Sequence, residues 1–286
     1  GLPGPVVVDP VEANPGSPAD QMVLDLLHDG LTRLDADGEV QPAIAASWER
    51  DAAATRWTFT LDPEARFTNG SPVTAEHVIA SLNRLARAGT ASLAGLRLEA
   101  VAGYDALAAG QAETLAGLTP GDGTVVVELS RPMSALPALL AAPQLSVVAA
   151  TGLDGDTPLE DLPLSGGWSV ESAGTRRVLL ARQDGREGHL EGIELVPHES
   201  AAAAHDALGE GDVDWALVPA EPDDDAPRPT VSTPFHAEVF LGMRVDAPPL
   251  DREELRQAIA AAIDREAIAE DVYDGFARPL ASVVPE

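Results

Sequence analysis

The chain has 286 residues, 45% of them hydrophobic and 23% charged, enough for one large globular domain or two smaller ones. It carries 47 acidic against 18 basic residues, all of the latter Arg, for a net charge of −29, and the arginines form no run, which argues against direct binding to a phosphate backbone. There is no Cys, so disulfides, thiolate nucleophiles and Cys-bound zinc are excluded, and no apolar stretch approaches the ~18 residues of a membrane span.

In chain order, Val6, Val7 and Val8 predict a short buried strand ended by Pro10, and the Pro- and Gly-rich stretch from Asn14 to Pro18 is a loop. Met22, Val23, Leu26 and Leu27 recur at helical spacing, so about two turns of helix run to His28. Trp57, Phe59 and Leu61 alternate with threonines, as in a half-buried strand, and Asn69-Gly70 is a hairpin signal. Thr74 predicts a helix N-cap, with Glu76 favourable in the first turn and Val78, Ile79, Leu82 and Leu85 forming one apolar stripe. A short helix from Tyr104, a turn at Asp122-Gly123, a strand from Thr124 and a short helix around Pro137 follow.

Residues 151–163 are a polar connection and a candidate boundary. Beyond it, strands are predicted over 178–181, 193–196, 213–218 and 238–244, with a helix over 200–208 and an exposed acidic loop over 221–230. Asp251 and Glu254 resemble a capping box that opens a helix whose apolar face is Leu255, Ile259 and Ile263. The helical period gives way to alternation near Ser47 and returns after Thr151, so residues 46–150 are expected to form a β-rich insertion in an α/β domain made of 1–45 and 151–286.

Catalytic constellations are missing. No nucleophile elbow, phosphate-binding loop, complete dinucleotide fingerprint or H-E-x-x-H helix occurs. The six His (28, 77, 189, 198, 205 and 236) include no pair four apart, so no metal and no cofactor is expected. The consecutive Asp223, Asp224 and Asp225 lack the alternating ligands of a calcium loop, and Asp212 with Asp214 is a common chance pair in so acidic a chain. Of the four Trp, Trp48, Trp57 and Trp215 read as core, whereas Trp168, behind the bare Ser165-Gly166-Gly167 backbone, is the candidate for a ligand cleft.

Several blocks share their order with a known family. They are Val8-Asp9-Pro10, then Leu27-His28-Asp29-Gly30-Leu31-Thr32, Gly38-Glu39-Val40-Gln41-Pro42-Ala43 and Ser47-Trp48-Glu49. The most specific block is Trp57-Thr58-Phe59-Thr60-Leu61 followed by Phe67-Thr68-Asn69-Gly70-Ser71-Pro72-Val73-Thr74-Ala75, and a later one joins Leu255-Arg256-Gln257-Ala258-Ile259 to Ala262-Ile263-Asp264-Arg265. Together they resemble the family 5 extracellular solute-binding proteins, which serve oligopeptide, dipeptide and nickel ABC transporters. The resemblance implies an α/β, periplasmic-binding-protein-like (type II) first lobe with an inserted β-rich domain, the second lobe being absent because the chain stops at Glu286. It also implies capture of an extracellular solute, most plainly a peptide, for a membrane ABC permease, with no enzymatic step. The alternative is the ligand-sensing domain of a transcriptional regulator built on the same fold. The expected ligand edge comprises Asn14, the turn of Ser165, Gly166, Gly167 and Trp168, and Phe240, Gly242 and Met243. The family's turn reads differently from Ser165-Gly166-Gly167-Trp168, and Arg244 lacks a nearby Asn that the family often has. The first residue is Gly, not Met, so an upstream segment is expected to have been removed; the resemblance implies an extracellular place at a cell surface, held by a lipid anchor on such a segment, or a periplasmic one.

Overall fold

The computed structural model describes residues 1–88, 95–153, 156–183, 185, 188–217, 239–273 and 277–280. The chain forms two compact units, Gly1–Ser200 and Ala201–Glu286.

In the first unit, β1 (Leu2–Pro3) pairs in parallel with β11 (Pro197–His198). The Val6, Val7, Val8 run expected as a strand forms none: the strand lies four residues earlier, and Pro5 and Pro10, on either side of the run, offer no backbone donor. Helix α1 (Pro18–Leu27) starts where Ser17 Oγ accepts the Asp20 N–H, with Pro18 at its first position, and it buries Ala19, Val23, Leu24 and Leu27. A small hairpin of β2 (Thr32–Leu34) and β3 (Val40–Pro42) follows.

Next come β4 (Ala45–Arg50), β5 (Arg56–Leu61), α2 (Ala75–Arg87), α3 (Tyr104–Ala108), β6 (Leu118–Gly121), β7 (Thr124–Glu128) and α4 (Leu136–Leu139). The strands make one antiparallel sheet in the order β4-β5-β7-β6, with a register shift between Ala45 and Ser47 and with Pro120 in the outer strand β6. The alternation in β5 does what its period requires: Trp57, Phe59 and Leu61 point into the core, and Trp48 packs on Phe59 at 6.3 Å between ring centroids. Against this face α2 lays Val78, Leu82 and Leu85. Thr74 opens α2 with its N–H donated to His77 Nδ1 at 3.2 Å, and His77 meets Phe67 edge-on at 5.0 Å. The core extends from Leu31 and Ile44 to Ala149.

The first unit closes with the antiparallel sheet β8 (Trp168–Gly174), β9 (Arg177–Arg182) and β10 (Gly192–Leu195), in which β9 is central.

The second unit holds α5 (Ala201–Glu210), α6 (Glu253–Ala262) and α7 (Arg265–Asp271). Three expectations change here. Residues 213–217 form no strand: Val213 and Ala216 are buried three apart, and Trp215, expected in the core, is 50% exposed. Residues 239–244 form no strand either, with Val239 85% and Phe240 71% exposed, because an apolar run becomes a strand only where a ladder partner exists. Asp251 does not cap α6. It sits in a turn whose N–H groups point to Ala247 O, and the helix starts from Arg252 without a side-chain cap. The acidic loop 221–230 and Gly275 lie outside the described residues.

Candidate functional site

The expected ligand residues of the first unit flank the two ends of α1, a 10-residue helix that spans about 15 Å. At its N-terminal end, Asn14 is exposed and folds its own turn: Oδ1 accepts the Gly16 N–H at 2.9 Å, its carbonyl accepts the Ser17 N–H, and its N–H donates to Asp20 at 2.9 Å. Gln21 completes the turn by donating to the Pro15 carbonyl at 2.5 Å.

At the C-terminal end, Ser165 and Gly166 are buried and hold the backbone together. Ser165 Oγ donates to Val147 O at 2.7 Å and accepts the Asp29 N–H at 3.0 Å, and Gly166 N–H donates to Leu27 O at 3.0 Å. A Cβ on Gly166 would stand 2.6–2.7 Å from backbone atoms of Leu26, Leu27 and His28, so the close approach requires glycine. Gly167 has open space where a Cβ would be, and Trp168 is half-buried at the start of the edge strand β8. The turn therefore has an inward half, Ser165 and Gly166, and an outward half, Gly167 and Trp168. Phe240, Gly242 and Met243 belong to the second unit, in a largely exposed segment without helix or strand.

His28 and Asp9 stood in the sequence only within blocks shared with the family, with no role of their own. His28 is fully buried at the end of α1, and its Nε2 lies 3.0 Å from Val8 O. Burial pushes its pKa down to about 4, against the opposing pull of the Val8 carbonyl and of Asp9. The ring is neutral, with Nε2–H donating to Val8 and Nδ1 left without a protein partner. Asp9 receives both terminal nitrogens of Arg84 from α2, and its Oδ1 also accepts the Val11 N–H at 3.0 Å. Burial acts to raise the Asp9 carboxyl, but these bonds and the Arg84 charge outweigh it and leave the pKa below its ordinary value. The sequence signal was an acid isolated between apolar valines and a proline, with an arginine on the polar flank of the α2 stripe.

An open groove of about 330 Å³ lies along α2, lined by Glu76, Ile79, Asn83, Arg84, Pro120 and Leu153 among others; none of the expected ligand residues lines it. Among the described residues, no group of three His, Asp or Glu side chains could hold a metal ion, and no helix is long and apolar enough to cross a membrane.

Residues 39–286 match the family of bacterial extracellular solute-binding proteins, family 5. The chain is 28% identical to the probable deoxycholate-binding periplasmic protein YgiS of Escherichia coli, over 98% of this chain and 55% of that one. It is 24% identical to the oligopeptide-binding protein OppA of Bacillus subtilis, again over 98% of this chain and 55% of that one. Among solved structures, Burkholderia pseudomallei OppA superposes with a TM-score of 0.76 at 25% identity, covering 99% of this chain and 59% of that one. The chain thus spans about half the length of the relatives it matches. The match covers most of the chain and its fold is mixed α/β of the periplasmic-binding-protein kind, so this chain belongs to the family 5 bacterial extracellular solute-binding proteins.

Proposed function

We propose that this chain is part of a receptor that captures a peptide outside the cytoplasmic membrane and hands it to a membrane ABC importer, making and breaking no bond. The observation that carries this reading is the family match over residues 39–286, joined to relatives named for oligopeptide binding. Peptides suit an edge built from exposed turns and strand ends, because backbone groups can pair with an extended chain whatever its side chains. In this reading Asn14, Gly167 and Trp168 form the ligand edge of the first unit, while Ser165 and Gly166 support the turn from beneath. Residues 46–150 form the inserted β-rich domain; the sheet drawn entirely from residues 45–128 supports that division.

A second ligand class is favoured by one observation, the relative named as a probable deoxycholate-binding protein. Thermal melting separates the two, since a ligand held only by the folded state raises the melting temperature, by about 2.7 kcal/mol of stabilisation at a hundred times Kd. In the complete protein a pool of random tri- to pentapeptides is expected to raise it and deoxycholate to leave it unchanged, whereas these 286 residues alone are expected to bind any peptide only weakly, with a Kd of about millimolar or worse. A rise with deoxycholate alone would replace the peptide assignment, and no response to either would defeat the receptor reading of this chain.

A further inference from the structure

The segment between β1 and α1 has no ladder of its own. From Gly4 to Val8 it forms no strand or helix, and helix α1 holds only the later half of the turn at residues 12–17, leaving residues 9–13 to be placed by other contacts. Its position comes from side chains reaching across from two helices. His28, at the end of α1, holds the Val8 carbonyl, and Arg84, on α2, holds the Asp9 carboxylate with both terminal nitrogens.

Asp9 is the pivot of the segment. Its backbone carbonyl accepts the Glu12 and Ala13 N–H groups at 3.0 and 3.1 Å, and its Oδ1 accepts the Val11 N–H. Ala13 is buried, and from Asn14 onward the turn is tied to α1 through Asp20 and Gln21. Whatever sets the orientation of Asp9 therefore sets the three residues that lead into Asn14. The Asp9–Arg84 pair also differs from the other ion pairs described. Its side chains are 15% and 18% exposed, against 39–79% for Arg56–Glu128, Arg131–Glu99, Arg177–Glu194 and Arg244–Asp246. A pair this sheltered is little screened by salt, and a guanidinium fork that meets both carboxylate oxygens fixes rotation as well as distance, which an ammonium does not. Arg84 is itself placed by its neighbours on α2, since Leu82 and Leu85 are sunk in the core formed with Phe59.

We propose that Asp9 and Arg84 form a latch, backed by His28, that positions the turn at residues 12–17 for ligand from helix α2, so that Arg84 is a positioning residue for binding although it stands 75 residues from Asp9 in sequence. The latch itself rests on the geometry above; its role in binding rests on the reading of Asn14 as part of the ligand edge.

The test uses the complete protein with Arg84→Lys, and with Asp9→Asn as the milder variant that keeps an acceptor for Val11. The first readout is amide hydrogen exchange without ligand. Exchange at Val11, Glu12 and Ala13 is expected to speed up at least about tenfold, while Phe59 and Val125 in the sheet keep their rates. Unchanged exchange at the turn, or equal acceleration in the sheet, would overturn the latch. The second readout is the melting shift produced by the tri- to pentapeptide pool. It is expected to fall by about half or more in a variant whose unliganded melting temperature moves by less than about 4 °C. A loosened turn with an undiminished peptide shift would overturn the positioning role. If the unmodified complete protein does not respond to the pool, it is the receptor reading that fails, and the positioning role falls with it, while the exchange pattern alone still decides whether the latch exists.

Discussion

Helices α2 and α6 are written in the same way, each with an apolar stripe at helical spacing and acids in its first turn. They end up differently. Helix α2 buries seven residues, among them Val78, Leu82 and Leu85, whereas α6 buries none, its Leu255, Ile259 and Ile263 remaining only partly covered. The stripe specifies that a helix forms and which face turns inward; it does not supply the surface that receives that face. For α2 that surface is the inner side of the β4-β5-β7-β6 sheet, built around the fully buried Phe59.

The contrast is sharpest in stability. Phe59→Ala is expected to cost about 3–5 kcal/mol in urea denaturation followed by circular dichroism, whereas Ile259→Ala is expected to cost less than about 1 kcal/mol. Equal costs would show that α6 is as firmly packed as α2.

Acid should act through the first unit. An unfolded His titrates at about 6.5, and His28 in the fold at about 4, so the unfolded chain takes up that proton first. The stabilisation is complete above pH 6.5 and is lost as pH falls towards 4, an effect of about 3 kcal/mol. Asp25 runs the other way. The residue as a whole is exposed, yet partial burial of its carboxyl first and the Asp29 charge second push its pKa up to about 6, so its contribution is complete below 3.8 and is lost as pH rises through 6. Asp25 therefore offsets part of the His28 loss over the same range. Urea midpoints at pH 7, 5.5 and 4.5 are expected to fall more steeply in Asp25→Asn and less steeply in His28→Asn; the reverse order would contradict both environments.

The next effect is smaller and separates two neighbouring glycines. Gly166→Ala drives a methyl group into the backbone at the end of α1 and is expected to cost about 2 kcal/mol or more. Gly167→Ala meets nothing and is expected to stay within about 0.5 kcal/mol. The smallest effect returns to the second unit: Phe240→Ser, at a side chain 71% exposed, is expected to shift stability by less than about 0.5 kcal/mol.

The stretch from Trp57 to Glu128 was readable because its signals are local and agree with one another. Thr74 opens a helix, Asp122-Gly123 turns a hairpin, and the alternation from Trp57 to Leu61 matches a pleat, so propensity, period and burial point the same way. Later the signals were one-sided. The apolar residues 213–217 and 239–244 carried strand composition without anything local to name a partner. In the candidate site, the bare glycines drew attention to 165–168, but periodicity could not tell that Ser165 faces in and Trp168 starts an edge strand. The pairing of Asp9 with Arg84 escaped notice for a related reason: a contact across 75 residues leaves no period in a single sequence.

The register shift at the start of β4 and the proline in β6 bear on something other than the core. These are the two outer strands of the four-stranded sheet, the places where another extended chain could add itself. Strand β4 is irregular at its beginning and ends in Glu49 and Arg50; β6 is four residues long, and Pro120 has no N–H to offer. A sheet finished in this way discourages edge-to-edge aggregation during folding. It also keeps the inner strands β5 and β7, with their run of Trp57, Phe59, Val125 and Val127, from acting as a template for a second copy of themselves.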